Sequence, residues 1–282
     1  MGIIIDGKRI AAEIKEAMRK RVESLKEKGV QPRLVIVLIG DNAASQVYVK
    51  NKINACNNAG IHAELVKFSS ATTDEILAFL KKVNEDPSVH GIITQLPFPP
   101  NIDEDTVLSS INPKKDVDCL NPVNAGKLAL GIDAIAPCTP KGIMKMLDYM
   151  KVDIKGKNVV IINRSRIVGR PLSFLMLNRH ATVTICHSKT ADIPKHTKEA
   201  DIVVVAVGKP GFLKKDMIKS GSVVIDVGIN KVGGKICGDA DFDVMDKASF
   251  ITPVPGGVGP MTVAMVLENT VMLAEKFGGT HD

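Results

Sequence analysis

The sequence predicts an α/β protein of two domains, each built around a mostly parallel sheet. Three observations carry this reading. The chain has 282 residues, and domains usually hold roughly 100–200 residues each. Strand-like apolar runs alternate with helical patterns in two separate series. The second series opens with a strand that runs into a basic turn and then a helix.

Residues 6–29 place Ile10, Ile14, Ala17, Met18, Val22 and Leu25 at three- and four-residue steps, with charges between them and Gly29 as a stop. This spacing predicts an amphipathic helix. The run RLVIVLIG at 33–40 is too continuous for a one-sided strand and reads as a strand covered on both faces. Residues 41–60 then read helical, 62–68 extended, 72–86 helical and 89–97 extended. A Pro-, Asn-, Gly- and Asp-rich stretch from Pro97 to Pro140 reads as loop, and loops of that length tend to carry function. A helix over 141–150 leads into the second series: KNVVIIN, a helix near 169–179, ATVTICH, a short helix, DIVVVAVG and SVVIDVGIN. The tail 258–278 sets Met261, Ala264, Met265, Leu267, Val271, Met272 and Ala274 on or near one helical face. Periodicity does not say which domain that last helix packs on.

Composition narrows the class. An apolar share of 45% with 24% charged residues excludes disorder as the main state, because burial can offset ordering entropy. No apolar stretch is long enough to span a membrane, and the N-terminus shows no secretory pattern, so a cytoplasmic address is expected. Five Cys without CxxC or His at ligand spacing argue against a disulfide framework or a structural metal. The net charge of +6 suits an anionic partner. It does not point to nucleic acid, since no basic run carries interleaved aromatics.

The turn Asn163-Arg164-Ser165-Arg166-Ile167-Val168-Gly169-Arg170-Pro171 sits where a Rossmann-like domain receives a pyrophosphate, although its glycine fingerprint is degraded. An NAD site places an acid about 20 residues on. Here the next strand ends in Cys186-His187-Ser188-Lys189-Thr190 instead. Arg, Lys and a hydroxyl in place of the acid suit a 2′-phosphate, so NADP is favoured over NAD; the alternative, that Arg164, Arg166 and Arg170 are solvated loop charges, is the weaker one because the strand–turn–helix context and the missing acid agree. In the first series Tyr48 and Lys52 stand at i, i+4 on one helical face. Such a pair suits proton transfer, yet taken alone it reads better as a partly buried Tyr beside a solvated Lys. Gln95 at a strand end, and Asp116 and Asp118 in KKDVD, are likewise ordinary taken singly. Thr139 and Pro140 fit plain helix capping. The Pro- and Gly-rich segment Thr252 to Thr262 describes a rigid loop feeding a helix N-terminus.

Taken together and in order, Tyr48-Val-x-x-Lys52, Gln95-Leu96-Pro97, Lys115-Asp116-Val117-Asp118, Pro137-Cys138-Thr139-Pro140, the 164–171 turn, Asp226-Val227-Gly228-Ile229-Asn230 and the 253–262 segment resemble the bifunctional methylenetetrahydrofolate dehydrogenase/methenyltetrahydrofolate cyclohydrolase family. The resemblance covers nearly the whole chain. It implies an N-terminal α/β catalytic domain, 1–139 plus the returning last helix 263–282, and a C-terminal Rossmann-like NADP-binding domain with a parallel sheet, 140–262, with tetrahydrofolate derivatives in the cleft between them. It also implies a homodimer. Carried over, Lys52 is the catalytic lysine, Gln95 its hydrogen-bonding partner, Tyr48 the aromatic against the folate's aminobenzoate and Asp118 the carboxylate at the pterin edge, with Pro260 at the substrate. Asn163, Arg164, Ser165, Ser188 and Ile229 fall to the cofactor. Two residues depart from the family pattern: Asn163 and Cys119 stand where Gly is usual. The activity implied is oxidation of the methylene bridge with NADP followed by hydrolysis of the methenyl cation. A neutral Lys52 amine suits that cation, because like charges would raise its energy. A dehydrogenase lacking the hydrolytic step, or a folate-binding protein without turnover, would share many of these residues.

Overall fold

A computed structural model of the chain describes residues 2–132 and 135–278. They form two compact units, Ala12–Cys138 with Val263–Asp282, and Met1–Ala11 with Thr139–Thr262. The first eleven residues thus fall on the other side of the boundary expected from sequence. The reason is backbone pairing: strand β1 (Ile3–Ile4) runs parallel to β11 (Phe250–Ile251), and Lys8 N donates to Gly256 O at the start of α1 (Gly7–Glu27). A two-residue strand followed at once by an amphipathic helix leaves no periodic signal of its own.

The three-stranded unit is built on β2 (Arg33–Ile39), α2 (Ala43–Asn58), β3 (His62–Phe68), α3 (Thr73–Glu85) and β4 (Gly91–Gln95), with parallel sheet order β3-β2-β4. As expected for a strand covered on both faces, every β2 residue after Arg33 is buried. Val35, Val37 and Ile39 pack with Ile76 and Leu80 of α3. α3 starts in a capping box, Thr72 Oγ1 accepting from Glu75 N while Glu75 accepts from Thr72 N, a device worth about 1 kcal/mol.

The stretch expected to be loop holds two short helices, α4 (Glu104–Ser110) and α5 (Pro122–Ala129). Their signals are local ones that a Pro- and Asn-rich composition masks: Asp103 caps α4 ahead of Glu104 and Asp105, and Asn121 caps α5 with Pro122 in its first turn. The last helix, α9 (Val258–Phe277), is buried at every position from Val263 to Val271, a stretch that is apolar except for Glu268, Asn269 and Thr270; burial on all sides is the pattern of an interior helix. Met272, placed by periodicity with the buried face, is instead 38% exposed.

The six-stranded unit contains α6 (Cys138–Tyr149), β5 (Asn158–Ile162), α7 (Gly169–Leu177), β6 (Thr182–Cys186), α8 (Ile193–Thr197), β7 (Ile202–Val205), β8 (Val223–Asp226), a hairpin of β9 (Asn230–Val232) and β10 (Lys235–Cys237), and β11. Its main sheet runs β1-β11-β8-β7-β5-β6, all parallel. Chain order reverses between β5 and β7, the switch point at which open α/β sheets hold dinucleotides beyond the strands' carboxyl ends. α6 begins at Cys138, so Thr139 lies inside its first turn rather than capping it; its hydroxyl meets that of Thr262 at 3.0 Å.

Candidate active site

In the three-stranded unit α2 turns Ser45, Val49, Lys52 and Cys56 toward the interior along one stripe. Lys52 is therefore 6% exposed, not the solvated lysine its sequence neighbourhood allows. Tyr48, one turn earlier, is half-buried, and that burial holds its phenol above the usual tyrosine range. Cys56, one turn later, has its thiol pushed up to about 12 by burial, with Lys52 and Lys15 opposing the shift. It is a packing residue in the protonated form.

β4 delivers Gln95 at its last position, just before a cis Leu96–Pro97 bond. Gln95 Nε2 donates to the Leu96 carbonyl at 2.8 Å, which can only accept, so Oε1 is the atom left to face α2. It accepts from Lys52 Nζ at 3.0 Å. Asp118 completes the group, with Oδ2 at 3.9 Å from the same Nζ. The segment before it adds to the free edge of β4: Ile92 N donates to Lys115 O and Val117 N to Ile92 O.

The two aspartates of the Asp-Val-Asp run divide their work. Asp116 is almost fully buried and accepts from Leu120 N, Asn121 N and Asn124 Nδ2. Burial raises its carboxyl above the usual range, and those donors oppose the rise. It shapes the loop, while Asp118 remains partly open beside Lys52. The next residue, Cys119, is buried in the left-handed region at φ 54, which explains why glycine suits this position.

Sequence reasoning passed over Asn269. Buried on α9, it donates through Nδ2 to the carbonyls of Val117 and Ala136 at 2.8 and 2.9 Å. It thereby ties down the residue before Asp118. The polar run Glu268-Asn269-Thr270 interrupting an apolar helical stretch was the available signal.

In the six-stranded unit Asn163 and Ser165 act on their own turn. Asn163 Oδ1 accepts from Ser165 N, Ser165 Oγ and Gly169 N, and its Nδ2 donates to Ala206 O at 2.6 Å. Ser165 Oγ in turn accepts from Val168 N. Arg170 N goes to Ser165 O, and Pro171 has no N–H. The first N–H groups of α7 are thus engaged within the turn rather than free for a phosphate, contrary to the expectation from strand–turn–helix context. Gly169 has a different purpose: an added Cβ would overlap the Asn163 carbonyl. Arg164, Arg166 and Ile167 are exposed on the same turn, and Ser188 and Lys189 are exposed beyond the adjacent strand β6. Ile229 is 49% exposed after β8, and Pro260 is half-buried in the first turn of α9. Guanidinium, ammonium and hydroxyl groups at neighbouring strand ends suit the 2′-phosphate of NADP.

The sequence profile of the tetrahydrofolate dehydrogenase/cyclohydrolase catalytic domain matches residues 5–118, and that of the same family's NAD(P)-binding domain matches residues 137–277. The chain belongs to the tetrahydrofolate dehydrogenase/cyclohydrolase family. It is 51% identical to a bifunctional protein FolD of Bacillus subtilis (strain 168), over 97% of this chain and 98% of the relative. Among solved structures, the bifunctional FolD methylenetetrahydrofolate dehydrogenase/cyclohydrolase of Campylobacter jejuni is 48% identical, with a TM-score of 0.96 over 98% of this chain and 99% of that one. The Trypanosoma brucei dehydrogenase-cyclohydrolase, solved with NADP cofactor and an inhibitor, is 39% identical, with a TM-score of 0.94 over 99% of both chains. This member of the family is therefore an enzyme, with a catalytic α/β domain and a Rossmann-like NAD(P)-binding domain.

Proposed function

We propose that this enzyme oxidises 5,10-methylenetetrahydrofolate to the 5,10-methenyl cation with NADP and then hydrolyses that cation to 10-formyltetrahydrofolate. The observation that carries the reading is the buried Lys52 held by Gln95 Oε1 beside Asp118. When bound, NADP accepts the hydride from the one-carbon bridge. The protein's own residues then have three tasks: to hold the ring system, to bring in water and to move its proton.

Lys52 Nζ relays the proton released as water adds to the methenyl carbon, and Gln95 fixes the direction of that amine. Burial keeps the relay from exchanging freely with bulk water. Asp118 accepts from the donor edge of the pterin, Tyr48 lies against the aminobenzoate ring, and Pro260 borders the substrate. Arg164, Ser188 and Lys189 take the 2′-phosphate, and Ile229 borders the dinucleotide. Asn163 and Ser165 contribute by shaping the turn that presents Arg164.

The folate domain is assigned to Ala12–Cys138 with the last helix and the NADP domain to the six-stranded unit. The chain is assigned a homodimeric state. Among the described residues β3 pairs on one edge only, and Leu65 on that strand and Val47 on α2 are 42% and 61% exposed. Both line a groove of about 590 Å³ that an identical copy can cover. A reducing cytoplasm suits the five free cysteines. No described helix is long and apolar enough to cross a membrane.

Two assays on the purified chain test the function: NADP reduction with the methylene folate, and disappearance of the methenyl folate without cofactor. Activity in both is expected. Dehydrogenation without accelerated hydrolysis would leave a monofunctional dehydrogenase, and inactivity in both would leave a binding protein.

A further inference from the structure

The loop that follows β7, Ala206 to Lys209, lies at the switch point beside β5 and is gripped from two sides. From the β5 side Asn163 Nδ2 holds the Ala206 carbonyl. From the other side a single buried carboxylate, Asp239, accepts three successive backbone N–H groups: Val207 at 2.6 Å, Gly208 at 2.9 Å and Lys209 at 2.8 Å. Gly208 takes a φ of 66, giving the run the concave form of an anion nest. Such a nest at this edge of the sheet is where a phosphate could settle; here the protein fills it with its own anion.

Asp239 is itself held. Asn230 Nδ2 donates to its Oδ1 at 2.8 Å, and its backbone N–H donates to Asp226 Oδ1. Asp226 also accepts from Gly228 N and Ala240 N, and Thr252 Oγ1 bridges the Asp226 backbone. The two aspartate loops clasp each other. A Cβ added at Gly228 would overlap the Asp239 carboxylate, and one at Gly238 would overlap that of Asp226. Burial pushes the Asp226 carboxyl up to about 6, with the neighbouring Asp239 charge adding to the rise and the three N–H donors opposing it. A buried pair of acids is an expensive way to close a turn, and it joins the loops after β7, β8 and β10, two of which border the dinucleotide edge.

We propose that Asp239 is a positioning residue for the cofactor: its carboxylate occupies the Val207–Lys209 nest and sets the post-β7 loop in the shape that receives the dinucleotide. With those N–H donors taken, the charge of the pyrophosphate is met from the Arg164 turn rather than from this loop. The inference rests on the NADP reading above.

The test uses Asp239→Asn and Asn230→Ala in the full chain, assayed for the KM of NADP and of NAD, for kcat at saturating cofactor, and for methenyl hydrolysis without cofactor. Asp239→Asn replaces an acceptor-only group by one that confronts N–H donors with its own NH₂. It is expected to raise both cofactor KM values alike by roughly 10-fold or more, with kcat and cofactor-free hydrolysis held within about 2-fold. Asn230→Ala leaves the charge in place and removes one support, so the same change is expected at roughly 3-fold. Equal loss for NADP and NAD separates this role from a contact with the 2′-phosphate. Unchanged KM values in a folded variant overturn the proposal, as does hydrolysis that falls in step with dehydrogenation. Should Asp239→Asn not fold, Asn230→Ala decides alone. If the parent chain reduces neither cofactor, the functional reading falls and this proposal with it; if the parent is active and the variants match it, only this proposal falls.

Discussion

Gln95 presents its amide oxygen to Lys52 Nζ at 3.0 Å because its amide nitrogen is already committed to the Leu96 carbonyl. The direction of the lysine is thus fixed by a backbone carbonyl one residue past a strand end. This makes Lys52→Met a clean substitution: it keeps an apolar stem in a buried slot and removes only the amine. Methenyl hydrolysis is expected to fall by about 10²–10⁴-fold, the usual range for a positioned proton-transfer group. Hydrolysis at the parental rate, measured directly on the methenyl folate, would show that the amine has no such role.

Arg164 stands exposed on the turn after β5, beside the Ser188 and Lys189 loop after β6. A charge-assisted bond to a phosphate contributes about 1.5–3 kcal/mol, so Arg164→Ala is expected to weaken NADP by roughly 10- to 100-fold. NAD, which lacks the 2′-phosphate, should lose little. Parallel KM measurements with the two cofactors check this, and equal losses would remove the 2′-phosphate assignment.

His90 is buried, and its Nδ1 accepts from Arg33 N at 3.2 Å, a bond that requires the unprotonated nitrogen. Burial lowers its pKa below 6.5, helped by Lys115 and opposed by Asp86. The folded state therefore binds fewer protons than the unfolded chain. The stability this gives is fully present above the unfolded value and is lost as pH falls through the folded one. His90→Asn keeps an acceptor without a titrating group. Chemical denaturation of parent and variant between about pH 8 and about pH 5.5 should show the parent losing more stability than the variant. Identical pH slopes would count against it.

Cys119 combines a left-handed backbone with a buried thiol. The backbone favours glycine by about 1 kcal/mol, whereas the side chain fills interior volume worth a similar amount. Cys119→Gly is expected to change stability by less than about 1 kcal/mol. A β-branched side chain has no comfortable left-handed conformation, so Cys119→Val should lose more than about 2 kcal/mol. Thermal melts of both variants decide it, and a well-tolerated valine would refute the account of this turn.

How much of this was legible in the sequence depended on where the signal lay. The β2 strand announced itself because both its faces are buried and every residue after Arg33 is apolar or glycine up to Gly40. α4 and α5 did not, since each is held by one capping side chain inside a stretch rich in loop-forming residues. β1 is visible only through its partner, β11. Lys52, Gln95 and Asp118 were each unremarkable alone, and only their order along the chain as a set suggested chemistry. Asn269 and Asp239 escaped notice because a single amide or acid has no periodicity, and its meaning lies in which backbone groups from distant segments converge on it.

The sequence by itself determined the α/β class, the two series of parallel strands, the family and the basic character of the cofactor turn, because these rest on local periodicity and on residues kept in a fixed order. Tertiary structure decided which lysine is buried, which of Asp116 and Asp118 shapes a loop and which faces Lys52, where residues 1–11 belong, and that the N–H groups at the start of α7 are already engaged. Each of these depends on hydrogen bonds between segments far apart in the chain. Such bonds form only after the sheets have brought the strand ends together, so no window along the sequence contains both partners.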